Sequence, residues 1–141
     1  MPAPTNTLED AGPYITLGMC YASHPETGES DVTIHRMCFQ SKDEISIFLQ
    51  PGARHIGYFR ELAEAKGEPL PISISIGVDP AIEIASCFEA PTTPLGYDEL
   101  QAAGAIRNKP VELVQCLTIN EKLLLMLNML LKEKFYLENV F

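Results

Sequence analysis

The spacing of apolar positions changes along the chain, and each change marks an element. Pro71 to Val78 places Ile72, Ile74 and Ile76 at every second residue, the spacing of a half-buried strand. Ile56 to Lys66 instead spaces Ile56, Phe59, Leu62 and Ala63 three and four apart, which is helical, and Gly67 supplies the stop. Tyr14 to Ala22 and Val32 to Gln40 are rich in β-formers and flank the turn text His24-Pro-Glu-Thr-Gly-Glu, so they predict an antiparallel hairpin. Glu44 to Leu49 reads as a short third strand before the break at Pro51-Gly52. Pro80 to Ala90 reads as a helix, Tyr97 to Ala103 as a shorter helix closed by Gly104, and Val111 to Leu117 as a last strand. Together these predict an α+β domain with a mainly antiparallel sheet.

Composition narrows the class. A chain of 141 residues suits one domain with a modest core. Its 46% hydrophobic and 21% charged content is that of a globular, soluble protein. A formal net charge of -9, with Lys and Arg scattered, argues against nucleic acid or an anionic membrane as partner. The start Met1-Pro-Ala-Pro-Thr-Asn has neither the basic nor the apolar region of a signal peptide. The longest apolar run, Leu123 to Leu131, is too short to span a bilayer. Cys20, Cys38, Cys87 and Cys116 form no Cys-x-x-Cys pair, which disfavours a zinc site or a disulfide. They read as buried or half-buried small apolar groups, and the expected location is cytoplasmic.

The candidate chemistry lies in Asp31-Val-Thr-Ile-His-Arg36, in Arg54-His55-Ile56, and in Glu99 shortly before Ala103-Gly104-Ala105-Ile106. Asp31, His55 and Glu99 are of the types that hold a divalent cation: carboxylates suit Mg²⁺ or Mn²⁺, and Mn²⁺ also accepts imidazole nitrogen. They sit on separate elements and form no local motif. Each also has an ordinary explanation. An Asp after a turn commonly serves as a turn or cap residue, a His at a helix start as a surface or capping group. A Glu in a first helical turn favours the helix dipole. Arg36 alternates with Ile34 and Cys38, and an arginine on an apolar strand face needs an anionic partner, a sheet acid or a ligand. His24 reads as exposed in its turn.

The text around these residues resembles the UbiD-type decarboxylases, which use prenylated FMN, and within them the large subunits acting on phenolic acids such as hydroxybenzoate, gallate or vanillate. The resemblance runs from Pro2 to Lys122. It rests on Pro2-Ala-Pro-Thr-Asn-Thr, Asp10-Ala-Gly-Pro-Tyr14, Asp31 to Arg36, Arg54-His55-Ile56, Gly77-Val-Asp-Pro80, Cys87-Phe-Glu-Ala-Pro-Thr-Thr-Pro94 and Pro110-Val-Glu-Leu-Val114. It implies a flavin-binding split barrel and non-oxidative decarboxylation of an aromatic acid. It further implies Mn²⁺ or Mg²⁺, with K⁺ as an additional candidate, and homo-oligomers of the intact enzyme. Asp31, His55 and Glu99 would hold the metal against the flavin phosphate. Asp31, Thr33, Ile34, His35, Arg36, Arg54 and His55 would bind the cofactor, with His35 as a flavin-side wall. Arg36 would face the substrate carboxylate, and the acids completing its proton relay would lie beyond Phe141. The expectation is therefore a carboxy-lyase family member that is inactive as this chain. The alternatives are a non-catalytic flavin- or phosphate-binding fragment and a decayed gene product.

Residues 1–122 thus read as a partial family domain, interior to the longer family sequence, and residues 123–141 as something else. The resemblance expects an Ala-rich start and then an acidic Glu-x-Val-Ile-Glu-Gly run, where this chain has Leu123-Leu-Leu-Met-Leu-Asn-Met-Leu-Leu131. Every residue from Leu123 to Phe141 is compatible with a one-nucleotide shift of a coding text that gives the family sequence in its other frame. Because Leu, Met, Lys and Glu favour helix, this tail is expected to be helical.

Overall fold

The computed structural model describes residues 3–42, 44–49, 55–88 and 93–114, together with the backbone of strands at 125–129 and 134–137. The hairpin is present as β1 (Tyr14–Ser23) and β2 (Ser30–Phe39), paired antiparallel. The short β3 (Ile45–Ile47) adds to β2, and β4 (Ile72–Ile76) adds to the other side of β1, both antiparallel. Between β3 and β4 lies α1 (His55–Lys66); after β4 come α2 (Pro80–Ala85) and α3 (Glu99–Arg107). The architecture is α+β. Its sheet runs β3-β2-β1-β4 and continues into β5 (Leu125–Met129), parallel to β4, and β6 (Lys134–Leu137), antiparallel to β5.

Alternation assigns the two faces. Cys20 stands opposite Thr33, Ala22 opposite Asp31, and Ile74 opposite Cys20, so these side chains share one face. That face packs Ile15, Cys20, Ala22, Met37 and Ile74 against Ile56, Phe59 and Ala63 of α1. On the opposite face Met19 meets α2, where Ser86 Oγ lies 3.1 Å from Met19 Sδ. A smaller cluster joins α2 to α3 through Ala81, Ala85 and Ala103.

Several expectations need correction. The helix at Pro80 ends at Ala85, because Ser86 turns its hydroxyl back to the Glu83 carbonyl at 2.9 Å and caps the end. The next helix starts at Glu99 rather than Tyr97, since Asp98 accepts from the Leu100 N–H as N-cap. It also runs past Gly104. The left-handed residue that ends it is Asn108, at φ 52°, whose short polar side chain tolerates that conformation. Of the strand expected at Val111 to Leu117, residues 111–114 have no regular structure and 115–117 lie outside the described residues. The helical tail is likewise corrected: its described backbone forms β5 and β6. A short apolar run suits either state by periodicity, and here pairing with the Ile-rich β4 decides.

His24 is buried rather than exposed, and Cys87 is exposed rather than buried or half-buried. Cys20 and Cys38 are buried as expected, and Cys116 lies outside the described residues. Among the described residues no helix is long and apolar enough to cross a membrane.

Candidate metal centre

Three elements meet at the start of β2. Asp31 is the second residue of that strand and its side chain points to the α1 side, as its partner Ala22 does. His55 is the first residue of α1, and its Nδ1 lies 3.3 Å from Asp31 Oδ1. Glu99 opens α3. One ligand atom from each of Asp31, His55 and Glu99 lies within 4.8 Å of the other two. Asp31 and Glu99 are almost wholly buried, at 5% and 2% exposure, whereas the His55 side chain keeps 22%.

The electrostatics of the cluster suit a cation. Burial pushes the Glu99 carboxyl above the usual carboxylate range, and the nearby Asp31 charge adds to the rise. Glu99's own N–H, the Val32 backbone N–H and His55 oppose it. Glu99 Oε2 is buried and meets no hydrogen-bond donor among the described residues. A buried carboxylate oxygen without a donor beside a second buried carboxylate is costly unless a positive group joins them. The Cys20 thiol, also buried and close to Asp31, is pushed up to about 12, so it stays neutral and offers no thiolate. Two carboxylates and one imidazole thus fit a hard or borderline divalent ion such as Mg²⁺ or Mn²⁺.

The remaining candidates divide between the faces of β2. Thr33 and His35 turn toward α1 and are buried. Ile34 is half-buried and Arg36 is exposed; by alternation these two share the other face. The run from Thr33 to Arg36 therefore presents only Ile34 and Arg36 side chains to one surface. Arg54 lies outside the described residues.

Sequence reasoning missed two contributors. The Val32 backbone is one: it works against the burial that raises the Glu99 carboxyl, and a backbone group leaves no sequence signal. His24 is the other. Its ring packs edge-on against Tyr58 and Phe59, and these stand three and four residues after His55, so the helical period itself puts them on the His55 side of α1.

With this fold and cluster in view, the class is an α+β domain that gathers two buried carboxylates and an imidazole at one edge of its sheet. The chain belongs to the UbiD family: residues 1–129 match its model, described as the 3-octaprenyl-4-hydroxybenzoate carboxy-lyase Rift-related domain. It is 56% identical over 120 residues to the gallate decarboxylase of Lactiplantibacillus plantarum, covering 85% of this chain and 24% of that protein. The crystal structure of apo 3,4-dihydroxybenzoic acid decarboxylase (AroY) from Klebsiella pneumoniae matches with a TM-score of 0.70 at 50% identity, over 97% of this chain and 26% of that one. The UbiD-class enzyme HmfF from Pelotomaculum thermopropionicum in complex with FMN matches with a TM-score of 0.72 at 35% identity, over 95% and 26%. An evolved dimeric form of HmfF, in complex with prenylated FMN, matches equally well, with a TM-score of 0.72. The chain spans about a quarter of the length of these relatives.

Proposed function

We propose that this chain supplies the metal- and flavin-phosphate-binding part of a decarboxylase acting on a phenolic acid such as gallate or 4-hydroxybenzoate. The observation that carries the reading is the convergence of Asp31, His55 and Glu99 within 4.8 Å, with a buried Glu99 oxygen that has no donor among the described residues. A Mn²⁺ or Mg²⁺ ion held there would link two carboxylates to a phosphate, which like charges alone cannot do. Prenylated FMN, when bound, supplies an electron sink for the density left on the ring as carbon dioxide departs.

The chain's own residues would do the rest of the binding. Arg36 would hold the substrate carboxylate through its planar fork of donors. Ile34, on the same face, would give an apolar wall, with Thr33 and His35 supporting the strand from the α1 side. Asp31 and His55 would hold each other in position before the metal arrives.

Mn²⁺ titration followed by electron paramagnetic resonance tests the site. The full chain should remove the free-ion signal stoichiometrically, and Glu99→Gln should weaken that binding. Equal, weak binding by both would overturn the proposal. A second reading is a flavin- or phosphate-binding unit without turnover, favoured by the exposure of Arg36 in the centre of β2. It predicts FMN retention with Mn²⁺ and no release of carbon dioxide.

A further inference from the structure

One stripe of α1 follows the β1–β2 hairpin at several points. His55 meets Asp31 at the start of β2. One turn on, Tyr58 and Phe59 hold the His24 ring at centroid distances of 5.8 and 5.1 Å, both edge-on. At the end of the helix, Lys66 Nζ reaches Glu26 Oε1 at 3.0 Å, a half-exposed pair that adds little by itself. Of these contacts only that of His24 with Phe59 has both partners buried, and His24 faces two ways.

Its other side builds the turn. His24 Nδ1 accepts from the backbone N–H of Glu26 at 3.1 Å and of Thr27 at 3.2 Å. The His24 backbone closes the same turn, its N–H donating to the Glu29 carbonyl at 2.7 Å and its carbonyl accepting from Gly28 at 3.0 Å. Two donors converging on Nδ1 require that nitrogen to be unprotonated, so the neutral ring carries its hydrogen on Nε2. A phenyl ring could pack on Tyr58 and Phe59 but could not accept these bonds. An asparagine could accept them, as in an Asx turn, but could not reach between the aromatic rings.

The consequence falls on the metal centre. Asp31 follows the turn directly on β2, and His55 precedes Tyr58 and Phe59 directly on α1. We infer that His24 is a positioning residue, which fixes the β1–β2 turn to α1 and thereby sets the separation of Asp31 and His55. The inference rests on the metal-site reading above. It adds a residue that touches neither ligand.

Histidine imidazole nitrogen NMR and Mn²⁺ titration on the full chain test it, with His24→Phe and His24→Asn as variants. In the wild type, His24 should show the fixed Nε2–H tautomer and His55 a single, Asp31-bonded signal. Both variants should shift or broaden the His55 signal toward a free imidazole. Both should also weaken Mn²⁺ binding by roughly 10–100-fold, the scale of lost support behind a metal ligand, while circular dichroism shows the same fold. If the variants lower only the melting temperature, with the His55 signal and Mn²⁺ affinity unchanged, His24 is a turn builder and the inference fails. If the wild type binds no Mn²⁺, the metal-site reading fails, and the His55 spectrum alone then decides whether His24 sets the pair.

Discussion

Asp31 Oδ1 and His55 Nδ1 lie 3.3 Å apart, joining the start of β2 to the start of α1. The contact fixes which imidazole nitrogen faces the acid. It also fixes how much negative charge a cation at this point would meet. Asp31→Asn keeps an oxygen donor but removes one charge from a site whose affinity depends on ligand charge. We expect Mn²⁺ binding to weaken on the order of tenfold, ~1.4 kcal/mol. Calorimetric titration of both proteins at one salt concentration checks it, and unchanged affinity would place the ion elsewhere.

Glu99 makes a prediction of the opposite sign for the metal-free chain. Burial, helped by Asp31, raises its folded-state pKa above the unfolded one. The folded chain therefore binds that proton more tightly. The contribution is present at low pH and is lost as pH rises through the folded value. Glu99→Gln removes this loss. Without metal, the variant should melt higher than the wild type near neutrality, and the gap should close toward about pH 4, near the unfolded value of a glutamate. With Mn²⁺ the order should reverse, because only the wild type gains stability from binding. Melting curves across pH, with and without the ion, measure both effects. A variant less stable at every pH without metal would mean that Glu99 is structural.

How much of this was legible follows from where each signal lies. The strand β4 and the helix α1 announce themselves by apolar periods of two and of three to four, whereas β1 and β2, buried on both faces at Met19 and Cys20 and at Met37 and Cys38, show only as runs of β-formers flanking a turn. Glycine is the commoner helix stop, so the sequence points to Gly104 for the end of α3, yet Asn108 takes the left-handed conformation. The turn text around His24 is polar and points to exposure, while its burial comes with Tyr58 and Phe59, far along the chain. A Leu- and Met-rich run such as that of the tail fits helix and strand alike, and its own text does not choose. Asp31, His55 and Glu99 lie on separate elements, so no spacing rule could join them. Only family resemblance joins them, and it does not supply the near-complete burial of Glu99.

The β1 strand carries a test of the core. The register between β1 and β2 shifts between Ile15 and Gly18. A Cβ added at Gly18 would overlap Met37 Cε and crowd Ile74 Cγ2 at 3.3 Å and Ile15 Cγ2 at 3.4 Å. Met37 is 1% exposed, so its terminal methyl has little room to yield. Gly18→Ala should therefore cost about 1–3 kcal/mol, the usual penalty of overpacking. Shortening Met37 to Val in the same chain should recover part of the loss. An unchanged denaturation midpoint for Gly18→Ala alone would refute the packing described around Met37.

Catalysis gives the most exposed prediction. Decarboxylation of a phenolic acid requires that its carboxylate be held and that a proton be delivered to the ring carbon. Arg36 is the residue proposed for the first task, and it stands exposed in the centre of β2. A guanidinium in water attracts a carboxylate weakly, because the high dielectric reduces their attraction many-fold relative to a closed site. Delivery of the proton needs a positioned acid, worth about 10²–10⁴ in rate. The buried acids that face the cluster, Asp31 and Glu99, are taken up in the proposed metal site. A polypeptide of these 141 residues, supplied with prenylated FMN and Mn²⁺, is therefore expected to release no carbon dioxide from gallate or 4-hydroxybenzoate above a protein-free control. The measurement is labelled carbon dioxide trapped over time. Turnover that disappears in Arg36→Ala would overturn the expectation, since Arg36 would then be working in a site already closed and already furnished with its acid.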